Sequence, residues 1–215
     1  MDTDLNLGLA DPVSAGQFVR RVVASPDGDD LFVLHYAQEV AGEVREAVFK
    51  LDIGSPEPEL TSWTIPWTTQ ATVRHCWSQL RDIAISPDGS FIVIGGQGAD
   101  APPNCDSIVR YETDGDGVVP FTWSARMYSS IFSLAVTDAA VYAGGHFCAA
   151  PRLGAVYEGG LTSDFELTAN RCVVGDPEDI GNPSQRDPVN AVFRNQLAAL
   201  NPETAQALEL SLIHI

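Results

Sequence analysis

Basic residues are scarce in this chain. Lysine and arginine together number 12, against 29 aspartates and glutamates, and Lys50 is the lone lysine. A formal net charge of −17 excludes the basic footprint that nucleic-acid binding requires and disfavours an anionic membrane surface. Long apolar runs are also missing, so no segment approaches the ~18 residues of a membrane-spanning helix, and insertion in a membrane is not expected. The N-terminus lacks a leader-type pattern. Helical periodicity is absent apart from a weak trace near Gln79 and Leu80. There is no Gly-x-Ser-x-Gly elbow for a nucleophilic serine, and no glycine-rich phosphate loop opens a helix. His35, His75 and His146 are scattered, and His214 lies in the terminal tail. No pair of carboxylates has a spacing that implies glycoside hydrolysis.

What is present is repetition. The chain reads VVASPDGDDLFVLHY over residues 22–36, IAISPDGSFIVIGGQ over 83–97 and LAVTDAAVYAGGHF over 134–147. Each copy is an apolar strand, a tight turn and a second apolar strand. In Ser-Pro-Asp-Gly, proline fixes φ, aspartate bonds its own backbone, and glycine supplies φ > 0. In the third copy the turn shrinks to Thr137-Asp138-Ala139. A third strand is predicted at 47–53, 107–113 and 196–201, and a fourth at 60–65 and 119–125, with Trp63 and Trp123 in matching places. Repeats of roughly 50–60 residues with four strands each fit propeller blades rather than helical solenoids. The nearly continuous apolar strands suit sheets covered on both faces.

The expected fold class is therefore all-β: a partial β-propeller of about three four-stranded antiparallel blades plus the end of a preceding one. The blades span approximately 18–67, 79–125 and 131–209 within a unit of 1–209, with a long loop at 148–193. Propellers close with about four to eight blades, so the remainder of its own propeller chain is an expected partner. Residues 210–215 (LSLIHI) break the pattern and read as a cloning or sequencing scar.

The cysteines are Cys76, Cys105, Cys148 and Cys172, with no Cys-x-x-Cys to suggest a zinc knuckle. Four cysteines allow three pairings. In an up-and-down blade all four fall in loops on one face, and Cys76–Cys105 with Cys148–Cys172 is the local solution. Loops of about 25–30 residues closed in this way stabilise by roughly 3 kcal/mol in the chain-entropy model. Such bridges imply an oxidising compartment, secreted or at the cell surface; four buried free thiols are the alternative.

The segments CWSQLRDIAISPDGSFIVIGGQ, PPNCDSIVRYETDGDG, FTWSARMYSSIFSLAVTDAAVYAGGHF and RNQLAALNPETAQAL are more specific than a generic propeller. Over residues 20–208 the chain resembles secreted actinobacterial propellers of the delta-60-repeat-like kind, carried beside PKD or lectin-like surface modules. The resemblance implies an extracellular propeller, and the matching Cys-Trp and Asn-Cys-Asp sites support Cys76–Cys105. It carries over no catalytic residue. Two departures stand out: Cys148 follows Gly-His-Phe, and Ala205 occupies the place of an expected glycine after Glu203-Thr204.

The candidate ligand-binding residues are His146, Trp67, Trp77, Arg171 and Asp176. His146 ends a strand beside Gly144 and Gly145, with Tyr36 and Gln97 aligned to it, as in a polar ring near the second-to-third loops that touches a ligand; a half-buried, hydrogen-bonded histidine filling space beside the glycines is the competing reading. The glycine pair is expected to mark close approach between blades. Trp67 and Trp77 lie in the link between blades, on the cysteine-bearing face. Arg171 and Asp176 belong to the long loop, with Glu178, Asp179 and Arg186 nearby. Asp114-Gly115-Asp116-Gly117 resembles the start of a calcium loop but lacks the later bidentate carboxylate, so a solvated turn is expected, and no metal or cofactor is assigned. The function these features suggest is an extracellular binding or scaffolding module for a carbohydrate, a cell-envelope polymer or a surface protein. A propeller enzyme (hydrolase, lyase or oxidoreductase) with its site at the channel mouth is the alternative. The apolar inner strands count against it.

Overall fold

A computed structural model describes residues 19–36, 39–45, 47–65, 80–97, 106–127, 130–147, 149–151, 191–193 and 196–209. Among these there are strands and turns and no helix, and the weak helical trace at Leu80 is instead the start of a strand. The first sheet contains β1 (Val19–Ala24), β2 (Asp30–His35), β5 (Val48–Asp52) and β6 (Glu59–Thr64) in the order β1-β2-β5-β6. A small hairpin, β3 (Glu39–Val40) with β4 (Glu43–Val44), hangs on the connection between β2 and β5. The second sheet contains β7 (Leu80–Ile85), β8 (Phe91–Gly96), β9 (Ser107–Glu112) and β10 (Phe121–Arg126), again in sequential order. The third contains β11 (Ile131–Val136), β12 (Val141–Gly145) and β15 (Leu197–Leu200); β13 (Ala149–Pro151) and β14 (Ala191–Phe193) pair separately in the connection between β12 and β15. All strand pairs are antiparallel.

The third sheet corrects the expectation of four strands. Among the described residues it has three, and a single antiparallel bridge from Leu200 to Ala207 marks where a fourth would lie. Pro202 lies in the turn that joins the two bridged segments, closed by Ala205 N–H donating to the Asn201 carbonyl at 2.8 Å.

The first turn of each sheet is built from one hydroxyl. Ser25 N–H donates to the Asp30 carbonyl at 2.8 Å, and Asp30 N–H donates back to Ser25 Oγ at 2.9 Å. Ser86 and Phe91 repeat both bonds at 2.9 and 3.1 Å. Gly28 and Gly89 close these turns at φ +83° and +76°. In the third copy Thr137 Oγ1 accepts from Ala139 and Ala140, so a threonine holds a shorter turn without a glycine.

The sheets lie side by side, β1 against β7 and β7 against β11. The second sheet is buried on both faces, which is why β8 reads as an unbroken apolar run. One face of the first sheet (Phe32, Leu34, Val48, Trp63) meets Ile83, Ile92, Val109 and Tyr111 of the second. The opposite face of the second (Ala84, Val93, Ile108, Trp123) meets Leu134, Val141, Ala143 and Ala198 of the third. Gly95 is part of that joint: a Cβ there would sit 2.8 Å from Ile131 Cγ2. The absence of a side chain lets β8 and β11 approach.

Two polar latches recur across these joints. Lys50 Nζ donates to the Thr113 carbonyl of the next sheet at 3.4 Å, and Arg110 Nη1 donates to the Pro202 carbonyl at 2.7 Å. Lys50 pairs with Phe32 and Arg110 with Val93 in equivalent registers. The single lysine is thus one member of a repeated cationic position. Trp63 Nε1 reaches the Glu112 carbonyl and Trp123 Nε1 the Pro202 carbonyl. The edge strand β6 also pairs with residues 117–119, through Thr64 N–H to Gly117 O at 2.9 Å and Val119 N–H to Thr64 O at 2.8 Å. The Asp114–Gly117 turn therefore docks on the neighbouring sheet, and Asp116 accepts a hydrogen bond from Ser62.

Candidate binding face at the bulged strands

Each first strand carries a β-bulge at the same place. The register slips between Val19 and Arg21, between Leu80 and Asp82, and between Ile131 and Ser133. The extra residues are Arg20, Arg81 and Phe132. A bulge at a sheet edge re-aims side chains and breaks the two-residue alternation. Sequence patterning therefore passed over this row, although Arg20-Arg21 and Arg81-Asp82 stand near the start of the first strands. The expectation of apolar inner strands is corrected here: Arg21, Asp82 and Ser133 occupy one repeat position.

Asp82 joins three strands. Its Oδ2 accepts the buried Leu134 N–H of β11 at 2.7 Å, and its Oδ1 lies 3.0 Å from Arg21 Nε on β1. The carboxylate is 6% exposed while Arg21 is 57% exposed. The bond to Leu134 is the structural part of this contact, because the pair with Arg21 reaches into solvent, where ion pairs contribute little.

Arg20 is exposed and Arg81 half-buried. Arg81 Nε is closed off from solvent and has no hydrogen-bond partner among the described residues. Phe132 is 41% exposed, and its ring meets His146 edge-on with centroids 4.7 Å apart. His146 is exposed, and its N–H donates to the Ser130 carbonyl at 2.9 Å. The half-buried, space-filling reading of His146 does not hold in this geometry.

Tyr36, Gln97 and His146 do fall at one repeat position, each following the last residue paired with the start of a first strand. They do not form a common polar ring. Tyr36 is buried and its hydroxyl donates to the Leu80 carbonyl of the next sheet. Gly144 faces Ser133 of its own sheet, and a Cβ on Gly145 would strike the Ser130 carbonyl at 2.1 Å. That pair serves packing at the bulge, and the inter-sheet approach is made instead at Gly95.

Trp67, Trp77, Arg171 and Asp176 lie outside the described residues, as do Cys76, Cys105, Cys148 and Cys172 and residues 210–215. Among the described residues no group of three or more histidines, cysteines or carboxylates is placed to hold a metal ion, and no helix is long and apolar enough to cross a membrane. His35, behind β1, is buried edge-on to Phe49 at 4.9 Å, and burial lowers its pKa to about 4. It is a neutral core residue at neutral pH. Compared with known proteins, the chain matches no family model and no curated relative.

Proposed function

We propose that the three sheets are consecutive blades of a β-propeller, and that the chain is an extracellular binding or scaffolding module for a carbohydrate or cell-envelope polymer. The recurrence of the same tryptophan and cation contacts from each sheet to the next supports the propeller reading, because a constant joint repeated around an axis is what a propeller requires. The observation that carries the binding reading is the exposed Phe132–His146 pair at the bulge row. A solvent-facing aromatic ring offers the apolar face of a sugar a stacking surface, and an adjacent imidazole offers hydrogen bonds to hydroxyls.

Asp82, the buried carboxylate of this face, is occupied by Leu134 N–H and Arg21. It holds strands together, which favours a binding module over a propeller enzyme. The test is a glycan array and polysaccharide pull-down with the full chain, alongside Phe132→Ala and His146→Ala. Binding that falls about tenfold in either variant, a loss of one good contact, supports the reading. Absence of binding across the array, or binding indifferent to both variants, overturns it. Secretion and disulfides are tested by intact mass without reduction, where two bridges, Cys76–Cys105 and Cys148–Cys172, are expected.

A further inference from the structure

The basic side chains of the described residues divide sharply. Arg21 lies 3.0 Å from Asp82, Lys50 3.0 Å from Asp30 and Arg110 3.0 Å from both Glu112 and Glu203, and Arg45 is paired with Glu43. Lys50, Arg45 and Arg110 also donate to backbone carbonyls. Arg20 and Arg81 have no ion pair among the described residues, and they occupy the same bulge position on the neighbouring strands β1 and β7. In a chain with 29 acidic residues and 12 basic ones, two arginines that lack an ion pair among the described residues share one repeat position. Arg81, half-buried and with Nε cut off from water, gains most from an acceptor, because an unmet charged donor is costly away from solvent.

We infer that Arg20 and Arg81 form a subsite for a single carboxylate of a sparsely charged polysaccharide, with an apolar sugar face set on Phe132. This rests on the carbohydrate-binding reading above and deepens it. The guanidinium fork matches a carboxylate in two parallel hydrogen bonds. The overall charge of −17 sets the density of charge on the ligand. Remote acidic residues are screened beyond about 8 Å at physiological ionic strength, so one carboxylate feels the local arginines. A polyuronate running across the acidic surface meets repulsion along its length. Arg20, Arg81 and Phe132 share the bulge position on three adjacent strands, which places cation and aromatic along one line.

The experiment measures binding of the full chain to gellan, whose repeat carries one uronate, to carboxyl-reduced gellan and to polygalacturonate. The expected result is binding to gellan that falls about tenfold or more on carboxyl reduction, with weaker binding to polygalacturonate. Arg81→Gln and the exposed Arg20→Gln should each lower gellan binding about tenfold, so that the difference between native and carboxyl-reduced gellan narrows. Equal binding of native and reduced gellan overturns the carboxylate subsite while the carbohydrate reading stands. Preference for polygalacturonate overturns the sparse-charge argument. Binding to no polysaccharide of either charge overturns the underlying reading itself. Arg20→Gln keeps the test decisive if Arg81→Gln does not fold.

Discussion

The indole of Trp63 and the indole of Trp123 make one contact in two places. Trp63 Nε1–H donates to the Glu112 carbonyl at 3.1 Å, and Trp123 Nε1–H to the Pro202 carbonyl at 2.8 Å. Glu112 ends the third strand of the second sheet, Pro202 lies two residues beyond the third strand of the third, and both rings are fully buried. Each tryptophan therefore fastens its sheet to the next. Replacing Trp123 by Phe should cost about 1 kcal/mol for the lost hydrogen bond, and by Ala about 3–5 kcal/mol for the cavity. Trp63 should show the same ranking. Urea midpoints at constant m-value check this; a Trp123→Ala protein as stable as the parent would contradict the joint.

Asp82 separates a buried hydrogen bond from an exposed ion pair. Asp82→Ala leaves the buried Leu134 N–H without an acceptor and should destabilise by about 1–3 kcal/mol. Asp82→Asn keeps a side-chain oxygen and should cost less. Arg21→Ala should lie within about 1 kcal/mol of the parent, because its guanidinium faces solvent. Chemical denaturation of the three variants gives the order; equal losses for Arg21→Ala and Asp82→Ala would show that the ion pair carries the contact.

Acid should weaken the fold in two stages. Burial lowers the His35 pKa from 6.5 to about 4, so the unfolded chain takes up a proton that the folded chain refuses. Its contribution is fully present above pH 6.5 and is lost as pH falls toward 4, on the order of 3 kcal/mol in total. Asp88 follows lower down. Hydrogen bonds from Ser86 and Ser90 hold its carboxyl at about 2, below its ordinary 3.8, so its contribution disappears as pH falls from 3.8 toward 2. Stability measured against pH in His35→Leu should flatten between pH 6.5 and 4 and keep its slope below that range. An unchanged slope between 6.5 and 4 would assign the acid sensitivity elsewhere.

The turn glycines differ in what surrounds them. Gly28 and Gly89 both have positive φ, but a Cβ on Gly28 meets open space while one on Gly89 lies 2.9 Å from Pro26 Cδ in the neighbouring sheet's turn. Gly28→Ala should cost about 1 kcal/mol for backbone strain alone. Gly89→Ala adds a steric conflict and should cost roughly twice as much. Thermal melts compare them; equal losses would mean that the two turns do not touch.

Backbone strain recurs at a third place. Ala47, Asp106 and Gln196 precede the third strands and have φ of 65°, 50° and 66°. Gln196 is exposed, so Gln196→Gly removes the strain without opening a cavity and should raise stability by roughly 0.5 kcal/mol. Ala205, at φ 55°, shows why a glycine is expected after Glu203-Thr204. There the buried methyl group offsets the strain, and Ala205→Gly should be close to neutral. A raised melting temperature for Gln196→Gly, without a matching rise for Ala205→Gly, is the expected pair of results.

The repeat fixed in advance which segments are strands and where they turn. Ser25, Ser86 and Thr137 announce the three first turns, and two-sided apolar strands such as FIVIGG announce sheets covered on both faces. These signals are local: hydroxyl, proline and glycine chemistry acts over a few residues, and burial on both faces leaves its mark in composition. The bulges at Arg20, Arg81 and Phe132 were not legible, because an extra residue shifts the alternation and makes a repeated position resemble irregular sequence. Nor were the latches, since Lys50 and Arg110, or Trp63 and Glu112, are joined only when one sheet lies on the next. The chain's own order thus set its strands, turns and apolar faces. Packing alone decided that Asp82 belongs to its neighbours and that Arg20, Arg81 and Phe132 stand in one row, because those relationships exist only between strands far apart in sequence.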